Sequence, residues 1–183
     1  WTKTVTCGID VQHSGLYFTI QAWGNDAGTL RQHVVDHGFV KSFDDMDAIL
    51  DRPLQFADGR GMKITVGFVD SSDGTTMVAV YRWCSTRKRQ LRPIKGMNSA
   101  SGGKFWREAE TKKNADHGGR LVHLWPDEIK DFQSTRLAAG LVTFHEGVAA
   151  DADFQTQMVS QEKRWIPSKT GRGGRFGWKV REG

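Results

Sequence analysis

The sequence predicts a mixed α/β domain, one β-sheet flanked by helices, on three observations. Three alternating apolar segments follow one another at the start, strands and helices alternate afterwards, and there is enough apolar material for a sizeable core. A chain of 183 residues fits a single domain, and 38% hydrophobic residues with seven Trp can fill it.

The first strand is "TVTCGIDVQ", where Val5, Cys7, Ile9 and Val11 recur with the period of two of a half-buried strand. Gly8 is expected to let another backbone or a ligand come close, and Asp10 places a carboxylate where the strand should be ending. "GLYFTIQAWG" (15–24) and "TLRQHVVDHGFV" (29–40) continue a meander, joined through "QHSG" and "NDAG", which suit antiparallel hairpins. "SFDDMDAILDRP" reads as a short amphipathic helix with Ser42 as its cap, acidic first-turn residues, apolar Met46, Ile49 and Leu50, and a stop at Pro53.

An apolar strand over 63–69 then meets "DSSDG" and a helix carrying Met77, Val80, Trp83 and Cys84 at helical spacing. That strand delivers a second carboxylate, Asp70. "QLRPIKG" and "RLVHLWP" (120–126) read as further strands. "PDEIKDFQSTRLAAG" is a helix with Pro126 in its first turn, Asp127 and Glu128 at the positive end of its dipole, and Gly140 as its stop. A second helix is expected across "DADFQTQMVSQEK" (151–163), and residues 163–181 form a basic hairpin with a Gly/Arg-rich tip.

Charge and motifs narrow the function. A net charge of +5 and a pI near 9.4 favour a polyanionic partner. The basic residues cluster: Arg82, Arg87, Lys88, Arg89, Arg92 and Lys95 in one stretch, and Lys163, Arg164, Lys169, Arg172, Arg175, Lys179 and Arg181 in another. Such runs are commonly just solvated surface, but beside a metal site they suit DNA phosphates without reading bases. Cys7 and Cys84 lack ligand-spaced neighbours and read as buried thiols, and the six His form no HExxH arrangement. "SKTGRGG" has the wrong order for a nucleotide-binding loop, which excludes a motor from this segment. With no signal peptide and no membrane-length apolar run, a soluble intracellular protein is expected. The start at "WTKTV" and the end at "KVREG" read as cuts through a longer polypeptide.

The chemistry lies in Asp10 and Asp70. If their strands pair in parallel the two carboxylates become neighbours, and their repulsion calls for a cation. Oxygen ligands suit Mg²⁺ or Mn²⁺, and two such ions about 3.5–4 Å apart can activate a water and stabilise the leaving oxygen of a phosphodiester. Taken singly, a strand-end Asp is most often a turn or cap residue; the pair is the stronger signal. Asp73 suits a helix cap or a supporting role better than direct ligation, for which it is a further candidate.

These motifs resemble the C-terminal nuclease domain of tailed-phage terminase large subunits, in particular the lambda-like GpA family. The resemblance runs in order through "CGIDVQ" (7–12), "GFVDSSDGTTMVAVY" (67–81), "IKG" (94–96), "EIKDFQSTRL" (128–137) and "FHEG…FQTQMVSQEKRW" (144–165). It implies an RNase H-like fold and a metal-dependent endonuclease that cuts concatemeric double-stranded viral DNA during genome packaging, in the cytoplasm of the infected bacterial host. It also implies Asp10 and Asp70 as ligands of two Mg²⁺ or Mn²⁺ ions, and a third carboxylate on a segment following the basic hairpin. Asp151, Asp153 and Glu182 do not match that pattern, so the third ligand is expected beyond Gly183. An N-terminal ATPase domain, a small terminase subunit and a portal ring are the implied partners. The expected DNA contacts are Arg87, Lys88, Arg89, Lys95, Lys130, Lys169, Arg172 and Arg175, with Lys130 either near the scissile phosphate or simply on a solvated helix face. Two other readings fit the residues: another RNase H-like nuclease or resolvase, and a DNA-binding domain of this fold that does not cut.

Overall fold

Strand β1 (Thr2–Gln12) hairpins into β2 (Gly15–Asp26), which hairpins into β3 (Thr29–Val40), in a computed structural model that describes residues 1–98, 102–109, 120–168 and 173–181. The second turn explains its own sequence. Ala27 and Gly28 both have positive φ, 48° and 84°, which matches the twist of the flanking strands, and the Asn25 side-chain oxygen accepts the Gly28 N–H at 2.8 Å.

Helix α1 (Phe43–Asp51) begins in a reciprocal cap: Ser42 Oγ accepts the Asp45 N–H and the Asp45 carboxylate accepts the Ser42 N–H, both at 3.1 Å. Its Met46 and Leu50 are fully buried, while Ile49 packs at the edge of the core. A small ribbon of β4 (Leu54–Gln55) and β5 (Gly61–Met62) follows, and then β6 (Val66–Asp70), which starts later than the apolar run suggests. The chain continues through α2 (Met77–Thr86), β7 (Leu91–Gly96), β8 (Trp106–Glu108), β9 (Val122–Leu124) and α3 (Pro126–Ala138). Gly140 ends α3 at φ 66°, as its sequence context requires.

The last part comprises β10 (Val142–Phe144), a 3-10 turn over Glu146–Ala150, α4 (Ala152–Val159), and the antiparallel hairpin β11 (Gln161–Pro167) with β12 (Gly174–Val180). Two expectations are corrected here. The helix expected to 163 stops at Val159, because Gln161–Pro167 pairs along its whole length with β12 and its Trp165 and Ile166 suit a strand better than a helix. The strand expected over 120–126 is only Val122–Leu124, since Trp125 already caps α3.

Among the described residues eight strands form one mixed sheet in the order β10-β3-β2-β1-β6-β7-β9-β8. β3, β2 and β1 are antiparallel, whereas β6, β7 and β9 run parallel to β1. This order, with helices flanking the sheet, is consistent with an RNase H-like fold. One face carries Val5, Cys7, Ile9, Phe18, Ile20, Val69 and Leu91 and packs on Met46 and Leu50 of α1 and Val80 and Trp83 of α2. The opposite face of β2 and β3 meets α3, α4 and β12.

Arg87, at the end of α2, straps the two helices of the packed face together. Its Nε lies 2.7 Å from Asp47, and its two terminal nitrogens donate to Asp51 at 2.9 and 2.6 Å. These bonds hold the Asp51 carboxyl below its ordinary value of 3.8, the Arg87 hydrogen bonds being the main cause. Asp51 is two-thirds exposed, so solvent screens part of the gain, and Arg87→Ala is expected to cost about 1–2 kcal/mol. A folded-state pKa below the unfolded one gives stability that is present above pH 3.8 and lost as pH falls through the folded value. The difference in melting temperature between wild type and Arg87→Ala is therefore full at neutral pH and shrinks once the buffer falls below about pH 4; a gap that persists in acid would assign the loss to packing instead.

Burial pushes the thiols of Cys7 and Cys84 up to about 12. Both are free and buried, and thiolates are the reactive form. Iodoacetamide at pH 8 should leave both unmodified in the native protein and label both in denaturant, which mass spectrometry reads directly.

Candidate active site

Parallel pairing of β1 with β6 runs Thr6↔Val66, Cys7↔Gly67, Gly8↔Phe68 and Ile9↔Val69. One step further brings Asp10 beside Asp70 on adjacent strands, whose backbones lie about 4.8 Å apart. Ile9 and Val69 both point into the core, so by alternation Asp10 and Asp70 share the opposite face. The packed core thus aims both carboxylates at the face that α3, α4 and the hairpin border.

Each carboxylate is oriented by a local donor. Gln12 Nε2 donates to Asp10 Oδ2 at 2.7 Å, and the Ser72 N–H donates to Asp70 Oδ1 at 3.0 Å. The turn that supplies Ser72 is pinned by Ser71, whose N–H and Oγ both donate to the Ile94 carbonyl, at 2.9 and 2.7 Å. Among the described residues no Lys or Arg pairs with either carboxylate. Two adjacent hard-oxygen donors lacking a protein counter-ion fit Mg²⁺ or Mn²⁺. No group of three or more His, Cys, Asp or Glu is placed to hold a metal among the described residues, so the fit rests on the pair.

Asp73 is otherwise engaged. It accepts the Thr75 N–H at 3.0 Å and the Thr75 hydroxyl at 2.7 Å, with His13 3.7 Å away, and the Thr75 bonds hold its carboxyl below the ordinary value. Its geometry is that of a turn ahead of α2. At Gly8 a built Cβ meets nothing within 4 Å, so of the two expected neighbours no backbone among the described residues closes on it, and the space over it is open to a ligand.

The basic candidates separate by environment. Lys88, Arg89 and Lys95 are exposed around the start and end of β7. Arg87 is held by Asp47 and Asp51, and Arg175 donates to Asp127 at 3.0 Å. Lys130 donates to Gln161 Oε1 at 2.5 Å, on the sheet face that carries the aspartates. Lys169 and Arg172 lie outside the described residues, as does Glu182.

Two groupings were not visible in the sequence. Lys95, His123 and Arg107 lie in register across β7, β9 and β8, and burial, then Arg107 and Lys95, push the His123 pKa down. On β3, His37 Nδ1 lies 2.9 Å from His145 Nε2, and its Nε2 lies 2.8 Å from Asp151. Asp151 also caps α4 through the Phe154 N–H, so this chain ties α4 to the sheet. Asp153 is exposed in the first turn of α4. Neither grouping has a sequence signal, because each brings in residues from distant strands that only the fold sets side by side.

No curated protein matches this chain, and no solved structure does. The family model described as the terminase large subunit gpA, endonuclease domain, matches residues 1–183, the whole length. That match supports a nuclease role in DNA packaging, with DNA as substrate and the terminase assembly as context. The chain belongs to the gpA terminase large subunit endonuclease-domain family.

Proposed function

We propose that this domain cuts concatemeric double-stranded viral DNA through Asp10 and Asp70, which hold two Mg²⁺ or Mn²⁺ ions. The parallel register that brings the two carboxylates together, with no Lys or Arg beside them among the described residues, carries this reading. Bound divalent ions supply activation of the attacking water and stabilisation of the leaving oxygen in such hydrolysis. Asp10 and Asp70 bind, and the Gln12 amide and Ser72 N–H orient them by fixing one oxygen of each. Water attacks the phosphorus and the P–O3′ bond breaks, as the family resemblance implies, leaving 5′-phosphate and 3′-hydroxyl ends. Lys95, next to the Ile94 that pairs with Asp70, is the favoured phosphate contact, with exposed Lys88 and Arg89 at the opposite end of β7 available to more distant phosphates; Arg87 is left out because two carboxylates already hold it. Asp73 is a supporting residue of the turn. A terminase ATPase domain, the small subunit and the portal complete the proposed setting, in the cytoplasm of the infected host.

Supercoiled plasmid tests this reading. Nicking and linearisation with Mn²⁺ or Mg²⁺, stopped by EDTA and lost in Asp70→Asn, are expected. Salt-sensitive DNA binding with no cutting would instead support a domain that holds DNA without hydrolysing it, and a preference for branched over linear DNA would support a resolvase.

A further inference from the structure

A cavity of about 560 Å³ opens on the face of the sheet that carries Asp10, between β2, β3 and β10 on one side and α3, α4 and β12 on the other. Its floor holds a pair of amides, Gln32 Nε2 donating to Gln21 Oε1 at 3.0 Å. Gln32 is 2% exposed, and its own Oε1 accepts no hydrogen bond among the described residues. A buried carbonyl without a donor is costly, and because this oxygen is covered in the structure, a ligand N–H in the cavity meets it only once the Gln32 amide turns toward the opening. The walls are largely apolar, with the rings of Phe144, Phe154 and Trp178, while Lys130 and Arg181 are cationic members of the lining.

Position identifies the ligand. Thr19, at the cavity edge, pairs with Gly8, and Gly8 lies two residues before Asp10 on β1. Strand geometry puts that edge about 8 Å from Asp10 across the sheet. The path between them passes over Gly8, where nothing lies within 4 Å of a built Cβ. A DNA strand with a phosphate at the aspartates therefore passes the cavity mouth with a neighbouring nucleotide.

We propose that this cavity takes an unpaired nucleobase of the bound DNA strand, its ring lodged among Phe144, Phe154 and Trp178 and its edge N–H donated to Gln32 Oε1. Aromatic walls accept any base face, and a glutamine amide suits a base edge. Lys130 and Arg181 meet the phosphates that flank the lodged nucleotide. A base inside a duplex cannot enter, so the domain engages strands that are frayed, nicked or opened beside the cut. The inference rests on the proposed nuclease reading for the path of the strand, though the cavity itself can be tested without cutting.

The test is fluorescence anisotropy of a fluorescein-labelled single-stranded tetranucleotide in EDTA, with a fluorescein-labelled blunt duplex measured in parallel. Met158→Trp fills the cavity from an exposed position on α4 and leaves the core intact; Gln32→Leu removes the buried acceptor. Both are expected to weaken tetranucleotide binding by about tenfold or more while duplex binding stays unchanged. Wild-type binding by Met158→Trp, with its melting temperature retained, would overturn the proposal, as would no tetranucleotide binding by the wild type. Plasmid cutting is read separately: lost cutting with the binding pattern intact counts against the nuclease reading alone, and intact cutting with no effect of either cavity variant counts against the cavity alone.

Discussion

Asp10→Asn is expected to reduce metal-dependent plasmid cutting by about a thousandfold or more, on the scale of losing a group that stabilises charge in the transition state. The substitution keeps the size of the side chain and its place beside Gln12, so folding should be unaffected. Asn is a poorer ligand for a hard dication, and Asp70 alone cannot replace the missing charge. Asp70→Asn should behave alike and the double variant little worse than either, because the two residues act as a unit. Initial rates on supercoiled plasmid across a Mn²⁺ series measure this. A variant rescued fully at high Mn²⁺ would show that the loss lies in metal affinity; cutting at the wild-type rate throughout would remove Asp10 from the site.

The largest effect on stability is expected at Leu50. It is fully buried on α1, with its Cδ2 3.8 Å from a Cβ built on Gly67, so it sits directly on β6. Leu50→Ala leaves a void that a sheet core cannot close, at a cost of about 3 kcal/mol. For a chain of this size that lowers the melting temperature by about 6–12 °C. Asp70 is carried by the same strand, yet its orientation comes from the Ser72 turn and the Ser71 bonds to Ile94, which the substitution does not touch. Cutting measured well below the melting temperature should therefore stay within about threefold of wild type, whereas Asp10→Asn loses cutting and keeps its melting temperature. Calorimetry beside the plasmid assay separates the two.

Much of the fold was legible because its central elements are long and patterned. The three opening strands alternate over ten residues or more, and the cap at Ser42 and the stop at Gly140 follow from local chemistry. What stayed hidden is short or lies at an edge. β8 and β10 have three residues each, too few to show a period, and both are held by pairing with distant partners. The overextended helix after Asp151 illustrates the same limit: its start was readable, but its end is set by β12, a partner across the hairpin.

The site divides in the same way. Asp10 and Asp70 were legible as strand carboxylates, Asp70 at the end of β6 and Asp10 two residues before the end of β1, and only the parallel register makes them a pair. Arg87 misled because a basic cluster in sequence says nothing about carboxylates on another helix. The His37–His145–Asp151 chain and the Gln21–Gln32 amide pair join residues whose neighbours are set by tertiary contact alone.

Direct titration of the 183-residue chain with Mn²⁺, followed by electron paramagnetic resonance of the free ion, tests whether the paired aspartates hold a divalent cation. Saturable binding by the wild type that is abolished in the Asp10→Asn, Asp70→Asn double variant, with Mg²⁺ competing for the same sites, is the predicted result. Equal binding by wild type and double variant, or no binding by either, would contradict it.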